Sequence, residues 1–277
     1  MSIKVKGLLH SAHFGTALLT AMIIAYPLTK HNISRVIIIY SAFAIMTSTM
    51  IGFLVNDLVD IERDRINKPF RPHISKTISK KQVVVFCVVL MIIFLYTMTE
   101  LMAYSSTSIF LFAYFTFYII YNYVNKINGL FKNVTIAIGF VFPYLFITSL
   151  LNIMNHNFFL LAFTFSFFMY RELLMDINDR EGDLKTGLMT IPTRVSDSTA
   201  RFIVAIDWLL TVVFMLVHTF LLSYNYINVN ACFIIIIILA IQNLIWNNMA
   251  LSKGKMRILL ISMWIPMGLS VLMMKGI

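Results

Sequence analysis

The sequence predicts an all-α integral membrane protein. Of its 277 residues, 60% are hydrophobic and only 12% are charged, whereas soluble domains have about 45–50% and about 25%. A soluble fold of this length cannot hide so many apolar side chains from water. The apolar residues also form long continuous runs, and about 20 such residues cross the hydrocarbon core as a helix. Because the runs lack the dyad alternation of a membrane barrel, helices are predicted rather than strands.

Nine runs of span length follow one another along the chain, and residues 1–277 are predicted to form a single transmembrane domain. We predict helices near residues 8–28, 36–56, 82–103, 105–124, 133–151, 157–176, 199–222, 227–249 and 256–275. The first run lacks a convincing cleavage site, so a retained helix is expected rather than a signal peptide. Two inner links are long, near residues 57–81 and 177–198, and long loops between rigid elements are frequently functional.

The distribution of basic residues predicts the orientation in the membrane. With the N-terminus inside, 19 of the 22 Lys and Arg residues fall on the inner side, and only Lys30, Arg35 and Lys275 fall outside. Because an excess of Lys and Arg marks cytoplasmic loops, the N-terminus and both long links are expected in the cytoplasm. The net charge of +10 then suits anionic lipid headgroups or an anionic substrate. Nucleic-acid binding is not expected, since no soluble basic domain is predicted.

Acidic residues are concentrated in two short windows. Nine of the 12 Asp and Glu residues lie within residues 56–64 and 171–183. Each window has three aspartates spaced i, i+3, i+7, which places three carboxylates on one face of a helix. They are Asp57, Asp60 and Asp64 in the first window, and Asp176, Asp179 and Asp183 in the second. Since each costs about 2.5–3.5 kcal/mol at the bilayer centre, we expect them at a cavity mouth near the inner interface.

Carboxylate groups of this kind suit Mg²⁺, which keeps several waters and completes its shell with substrate phosphate oxygens. Two aspartate faces across a cavity could hold two or more Mg²⁺ ions around one diphosphate. Basic groups are then needed as well, and candidates are Lys68, Arg71, Lys126 and Lys185. Two alternatives stay open: solvated charges beside membrane spans, or a cation-coupled transporter. A transporter is expected to keep its ionisable groups near the midplane.

The acidic windows resemble the motifs of the UbiA-type family of intramembrane prenyltransferases. The first motif, Asn-Asp-x-x-Asp-x-x-x-Asp, is present as Asn56, Asp57, Asp60 and Asp64, and the second as Asp176, Asp179 and Asp183. Residues 121–133 resemble the family's inner loop, whose diphosphate-binding lysine corresponds to Lys126. Met175 and Lys132 depart from the pattern, because the family often has a basic residue and a glycine there.

This resemblance implies nine helices around a central cavity that cytoplasmic loops cap. It also implies Mg²⁺-dependent transfer of a polyprenyl group from an allylic prenyl diphosphate to a small acceptor within the membrane. The acceptor would be a quinone-precursor arene, another aromatic metabolite or a prenylglyceryl phosphate. The six aspartates would be the catalytic metal ligands, and the diphosphate would be bound by Asn56, Lys68, Arg71, Lys126 and Lys185. The alternatives are a membrane terpene cyclase without an acceptor and, in another class, a transporter or lipid-binding membrane protein.

Such a reaction needs an apolar, aromatic wall, because the carbocation must be kept from water and ring faces stabilise it. Candidates on the spans beside Lys126 are Tyr118, Tyr121, Phe142 and Tyr144. Each of them could instead pack between helices or face lipid. His10 and His13, with Arg171 and Glu172, are candidates for acceptor binding, although a histidine in an apolar span often serves only as an internal hydrogen-bonding group.

Overall fold

The computed structural model describes residues 3–67, 69–124, 129–221, 226–248, 259 and 262–271. Every regular element in these ranges is helical, as predicted. The α-helices are α1 (Ile3–Ser11), α2 (Phe14–Thr29), α3 (Arg35–Val59), α4 (Ile61–Asn67), α5 (Lys80–Tyr104), α6 (Ile109–Val124), α7 (Gly129–Leu150), α8 (Phe158–Lys185), α9 (Ile191–Arg194), α10 (Asp197–Leu221), α11 (Tyr226–Asn248) and α12 (Trp264–Val271). Short 3₁₀ turns, Ser106–Ser108 and Met154–His156, precede α6 and α8.

Seven helical segments in the described part of the chain are long and apolar enough to cross a membrane, or eight if α1 and α2 form one bent span. These correspond to the first eight predicted runs. The ninth, residues 256–275, lies largely outside the described ranges, which include only Leu259 and residues 262–271 of it. The count of nine therefore stays a prediction.

The first predicted helix is broken at His13. This residue has φ 48° and ψ 46°, and a left-handed residue cannot continue a right-handed helix. The axes of α1 and α2 consequently meet at 53°. The break also sets the His13 ring against Phe53 of α3, with 4.1 Å between the stacked ring centroids.

The outer surface of the bundle is apolar, as α5 illustrates. Val85, Ile92 and Tyr96 are all more than half exposed on this helix, whereas Phe94 and Leu101 are fully buried. Large exposed apolar patches are rare on soluble monomers, but lipid tails solvate them well. The helices thus present the surface of a multi-pass integral membrane protein.

Three segments that the sequence predicted as loop are helical, the shortest being α9 within the predicted loop 177–198. Helix α8 was expected to end near residue 176, yet it continues to Lys185, and α4 forms within the predicted loop 57–81. Residues 177–185 contain no proline, and a single glycine costs a helix only about 1 kcal/mol. The chain leaves α8 just before Gly187, whose φ is 70°. The loop assignment of residues 177–185 was therefore wrong, and α8 holds the second acidic motif on a rigid element.

Several helices pack around one internal space. Helix α3 packs against α2 and α6, α7 against α6 and α8, and α2 also contacts α7 and α12. The close approach of α3 and α6 depends on Gly52, because a Cβ there would come 1.7 Å from Cδ1 of Tyr118. The absence of a side chain at this position lets the Tyr118 ring lie directly on the α3 backbone.

Candidate active site

The first acidic motif lies where α3 ends and α4 begins. Asp57 belongs to the last turn of α3, Asp60 follows that helix, and Asp64 lies on α4. The backbone N–H of Asp64 donates to the carbonyl of Asp60 at 2.8 Å, so the chain stays nearly helical through the junction. Asp57 and Asp64 therefore face the same partner: Nη1 of Arg71 donates to Oδ1 of Asp57 at 2.5 Å and to Oδ2 of Asp64 at 2.6 Å.

Arg63 connects the two acidic motifs. Its guanidinium pairs with Oδ2 of Asp60, and its Nη1 lies 3.8 Å from Oδ1 of Asp183. Burial disfavours the charge on Arg63, but the neighbouring carboxylates outweigh burial and hold its pKa above the ordinary value. Nδ2 of Asn56 also donates to Oδ2 of Asp60 at 2.7 Å, which places this amide beside the ion pair.

The second acidic motif follows one face of α8. Asp176, Asp179 and Asp183 are all buried on this helix, as their spacing predicts. Helix α7 supplies partners for Asp176: Nζ of Lys132 contacts its Oδ1, and Nδ2 of Asn133 donates to its Oδ2 at 2.8 Å. Both carboxylate oxygens of Asp176 are thus positioned by α7.

A close contact between α4 and α8 brings the two motifs together. Nδ2 of Asn67 donates to the backbone carbonyl of Asp179 at 3.1 Å. Gly182 lies beside this amide, and a Cβ there would be 2.3 Å from Nδ2 of Asn67. Because residue 182 has no side chain, α4 can lie close enough to α8 for both motifs to border one site.

A cavity of about 800 Å³, including its open mouth, adjoins both motifs. Its polar and charged lining consists of His13, Thr16, Asn56, Arg63, Arg71, Lys132, Arg171, Glu172, Asp176 and Asp179. Its apolar and aromatic lining consists of Phe53, Tyr118, Tyr121, Ile136, Phe140, Met175 and Trp264. The Phe140 ring stacks on Phe168 at 3.7 Å between centroids. The cavity therefore combines ionic groups with an ordered aromatic wall.

Most of the residues predicted for the site meet at this cavity. Asn56, Arg71, Asp176, Asp179, Tyr118 and Tyr121 line it. The other four aspartates, Asp57, Asp60, Asp64 and Asp183, contact the cationic lining residues Arg63 and Arg71. Lys68 and Lys126 lie outside the described residues, so their diphosphate-binding roles stay predictions.

Three predicted residues lie elsewhere. Nζ of Lys185 donates to Oε1 of Glu181 at 2.6 Å, and the Lys185 side chain is 57% exposed. The Phe142 ring packs against Phe117, with 5.0 Å between centroids. Tyr144 lies one turn beyond Phe140 on α7, where α12 covers it, and its hydroxyl lies 3.2 Å from Oγ of Ser270. The expected cavity positions of Phe142 and Tyr144 are thus corrected, since helix packing decides which part of α7 faces the open space.

Sequence reasoning missed three charged or imidazole side chains of the site, Arg63, Lys132 and His73. It also missed part of the cavity lining, namely Thr16, Phe53, Ile136, Phe140 and Trp264. Arg63 lies inside the first acidic window, which was a usable signal. Lys132 replaces the glycine common in the family, and the family's basic residue before Asp176 is Met175 here. Lys132 on α7 thus contacts Asp176, and it supplies the positive charge that Met175 on α8 does not. His73 had no signal of its own, since its contact with Asp57 depends on how the chain folds back after α4.

The carboxylate groups fit a divalent metal. Asp57, Asp64 and His73 each offer a ligand atom, and these atoms lie within 4.8 Å of one another. Within the described residues, the lysine and arginine side chains that contact the six aspartates are Arg63, Arg71 and Lys132. Carboxylate oxygens gathered at one site are the ligands that hard divalent cations prefer.

The fold and the site define a class of protein: a helical membrane enzyme with two aspartate motifs beside an aromatic cavity. The chain belongs to the UbiA prenyltransferase family, whose model matches residues 14–265. The resemblance of the two aspartate motifs to that family is thereby confirmed.

Relatives and solved structures agree with this membership. The digeranylgeranylglyceryl phosphate synthase of Methanococcus vannielii is 31% identical to this chain over 53% of its length. The match spans about half of that relative, 52% of its residues. The synthase of Methanosphaera stadtmanae is 27% identical over 73% of this chain and 72% of its own length. A UbiA homologue from Archaeoglobus fulgidus bound to GPP and Mg²⁺ superposes with a TM-score of 0.73 at 16% identity, covering 96% of this chain and 99% of the homologue. A structure of digeranylgeranylglyceryl phosphate synthase in membranes superposes with a TM-score of 0.70 at 22% identity, and 99% of each chain is covered. The shared fold extends over nearly the whole chain.

Proposed function

We propose that this chain catalyses Mg²⁺-dependent transfer of a prenyl group from an allylic prenyl diphosphate to the hydroxyl of a prenylglyceryl phosphate. The observation that carries the proposal is the meeting of two buried aspartate motifs at a cavity with cationic and aromatic walls. The donor class is supported by the homologue bound to GPP and Mg²⁺. The acceptor class is supported by the relatives named as digeranylgeranylglyceryl phosphate synthases.

The leaving group requires positive charge. Mg²⁺ held by the six aspartates would neutralise the diphosphate as the bond between the allylic carbon and oxygen breaks. Arg63 and Arg71 line the cavity beside the first motif, and charged donors placed where negative charge develops lower the barrier. Asn56, which also lines the cavity, would orient a phosphate oxygen.

The prenyl cation requires a dry, electron-rich wall. The parallel stack of Phe140 and Phe168 meets Trp264 edge-on, with centroids 6.1 Å apart in each pair. Tyr118 contacts Phe140 edge-on at 5.9 Å. A desolvated ring face attracts a cation by about 2 kcal/mol, so these rings would hold the allylic cation and exclude water until the acceptor attacks.

A phosphate-bearing acceptor brings a second anion into the cavity. Arg171 also lines the cavity, where its Nη1 donates to Oε1 of Glu172 at 2.5 Å. We assign Arg171 to the acceptor phosphate, and His13 is a further polar group of the cavity lining. Attack by the acceptor hydroxyl forms an ether bond and releases diphosphate and one proton.

The test uses purified protein in nanodiscs, supplied with geranyl or geranylgeranyl diphosphate and a panel of acceptors, with products read by mass spectrometry. We expect an ether product with a prenylglyceryl phosphate, no activity in EDTA, and recovery with Mg²⁺. Product only with aromatic acceptors would refute the acceptor assignment. A cyclic hydrocarbon formed without acceptor would instead identify a terpene cyclase.

A matched pair of variants tests the acidic motif. Asp57→Asn should lower turnover by orders of magnitude, because it removes a charge that the metal requires. Glu62→Gln is the control, since Glu62 lies between the same aspartates but is 74% exposed and pairs only with Arg65 among the described contacts. Equal activity of the two variants would contradict the assignment of Asp57.

We also propose that the N-terminus and the site face the cytoplasm, which the asymmetry of 19 among 22 basic residues supports. In a background lacking Cys87 and Cys232, a cysteine at Lys76 should react with an impermeant thiol reagent only from the cytoplasmic side. A cysteine at Asn155 should react only from the other side. The reverse pattern would place the site on the outer face.

A further inference from the structure

A buried histidine lies against the first acidic motif. The side chain of His73 is 5% exposed, its Nδ1 is 2.9 Å from Oδ2 of Asp57, and its Nε2 is 3.7 Å from Oδ2 of Asp64. Both ring nitrogens are buried without a hydrogen bond of regular geometry. The imidazole is thus directed at two carboxylates, and its Nε2 lies beyond hydrogen-bond distance of either.

The local chain holds the ring in this position. His73 follows Pro72, whose ring restricts the backbone torsion φ, and the carbonyl of Pro72 accepts from the N–H of Ile78 at 3.3 Å. Arg71, two residues earlier, contacts the same two carboxylates. The segment therefore returns to the motif through two polar side chains on either side of Pro72, the guanidinium of Arg71 and the imidazole of His73.

The three ligand atoms of Asp57, Asp64 and His73 lie within 4.8 Å of one another, a separation that one metal ion can bridge. A set of two carboxylates and one imidazole differs from the all-oxygen set that Mg²⁺ prefers. Imidazole nitrogen favours transition metals, and their affinities rise from Mn²⁺ along the first row. An imidazole ligand would therefore raise the affinity of the site for Mn²⁺ relative to Mg²⁺.

We propose that His73 is a nitrogen ligand of the metal held by Asp57 and Asp64, and that its imidazole raises the affinity of this site for Mn²⁺ relative to Mg²⁺. The proposal rests on the proposed function, in which the aspartate motifs hold the divalent ions. A metal at this position would compete with the contacts of Arg71 to Asp57 and Asp64, and the guanidinium would then be available to the diphosphate.

The test measures metal binding directly and needs neither donor nor acceptor. Mn²⁺ is added to the purified protein in nanodiscs, with and without inorganic pyrophosphate, and its electron spin echo modulation is recorded. We expect ¹⁴N coupling from a directly bound imidazole, and protein labelled with [¹⁵N]histidine should replace it with the ¹⁵N pattern. This comparison uses the unmodified sequence, so it does not depend on any variant folding.

Variants then assign the nitrogen. His73→Gln should abolish the nitrogen coupling. It should weaken Mn²⁺ binding at least about tenfold, which is the scale on which residues around a metal change its affinity. The affinity for Mg²⁺ should change much less. His31→Gln is the matched control, since His31 lies beyond the C-terminal end of α2, away from both motifs. The ratio of Mn²⁺ to Mg²⁺ affinity, measured by displacing Mn²⁺ with Mg²⁺, should fall only in the His73 variant.

The outcomes separate this proposal from the proposed function. Prenyl transfer with Mg²⁺ but no histidine nitrogen on Mn²⁺, or no Mn²⁺ binding, would overturn the role of His73 and leave the function intact. Histidine coupling without prenyl transfer would support the ligand assignment and contradict the function. An unchanged affinity ratio in His73→Gln would also overturn the proposal.

Discussion

Substitution of Gly182 by alanine tests the junction that brings the two acidic motifs together. The new Cβ would lie 2.3 Å from Nδ2 and 2.6 Å from Cγ and Oδ1 of Asn67. Asn67 is buried and donates to the carbonyl of Asp179, so it cannot move without losing that bond. Overpacking of this kind costs about 1–3 kcal/mol, and the buried hydrogen bond contributes about 1 kcal/mol more.

Alanine is also the better helix former, by about 1 kcal/mol, which offsets part of this cost. The net expectation for Gly182→Ala is a loss of about 1–3 kcal/mol from these terms. The effect on turnover should be larger than the effect on stability, because α4 and α8 carry the two halves of the metal site. A displacement near 1 Å at a catalytic site can cost about a hundredfold in rate.

The assay combines thermal unfolding in detergent with prenyl transfer on the same preparations. Gly15→Ala is the matched control, since no atom of the described residues, apart from the adjoining turns of α2 itself, lies within 4 Å of its Cβ position. In an Asn67→Ala background the clash is gone, so the added cost of Gly182→Ala should nearly vanish in a double-mutant cycle. Wild-type stability and turnover in Gly182→Ala, or an undiminished cost in that background, would refute the reasoning.

Other predictions concern the charges of the site. Lys132→Met should lower the free energy of unfolding by about 3–5 kcal/mol, the cost of removing one partner of a buried ion pair, because it leaves Asp176 without this cation. Lys185→Met removes one partner of an exposed pair and should cost less than about 1 kcal/mol. Thermal unfolding compares the two, and equal effects would contradict a buried role for Lys132. Lys126→Ala should raise KM for the prenyl diphosphate, or lower kcat/KM, by about tenfold to a few hundredfold, since a charge-assisted bond contributes roughly 1.5–3 kcal/mol. An effect on the acceptor alone would place the Lys126 loop at the acceptor instead.

Sequence spacing was sufficient for features that depend on neighbouring residues. Apolar runs predict spans because hydration and helix geometry are local, and the spacing of Asp176, Asp179 and Asp183 predicts one helix face. Both are present in the structure. The motifs likewise identified the family, since they combine residue type with local spacing.

The bend at His13 and the continuation of α8 to Lys185 were not apparent from hydropathy. The break occurred at a histidine, which is not a usual helix-breaking residue, and no break occurred where charges suggested a loop. Charged residues end an apolar run, but they do not end a helix, because helix formation depends on backbone hydrogen bonds rather than on hydropathy.

The sequence by itself determined that the protein is a bundle of membrane helices with two aspartate motifs. Only the tertiary structure decided which groups meet those motifs: Lys132 at Asp176, His73 at Asp57, and the small residue Gly182 where α4 approaches α8. Periodicity shows which side chains share a face, but the partner of that face is set by packing between segments far apart in the chain. The side chains of lysine, arginine and histidine then complete the site, because they extend from their own helix or loop to carboxylates on another segment.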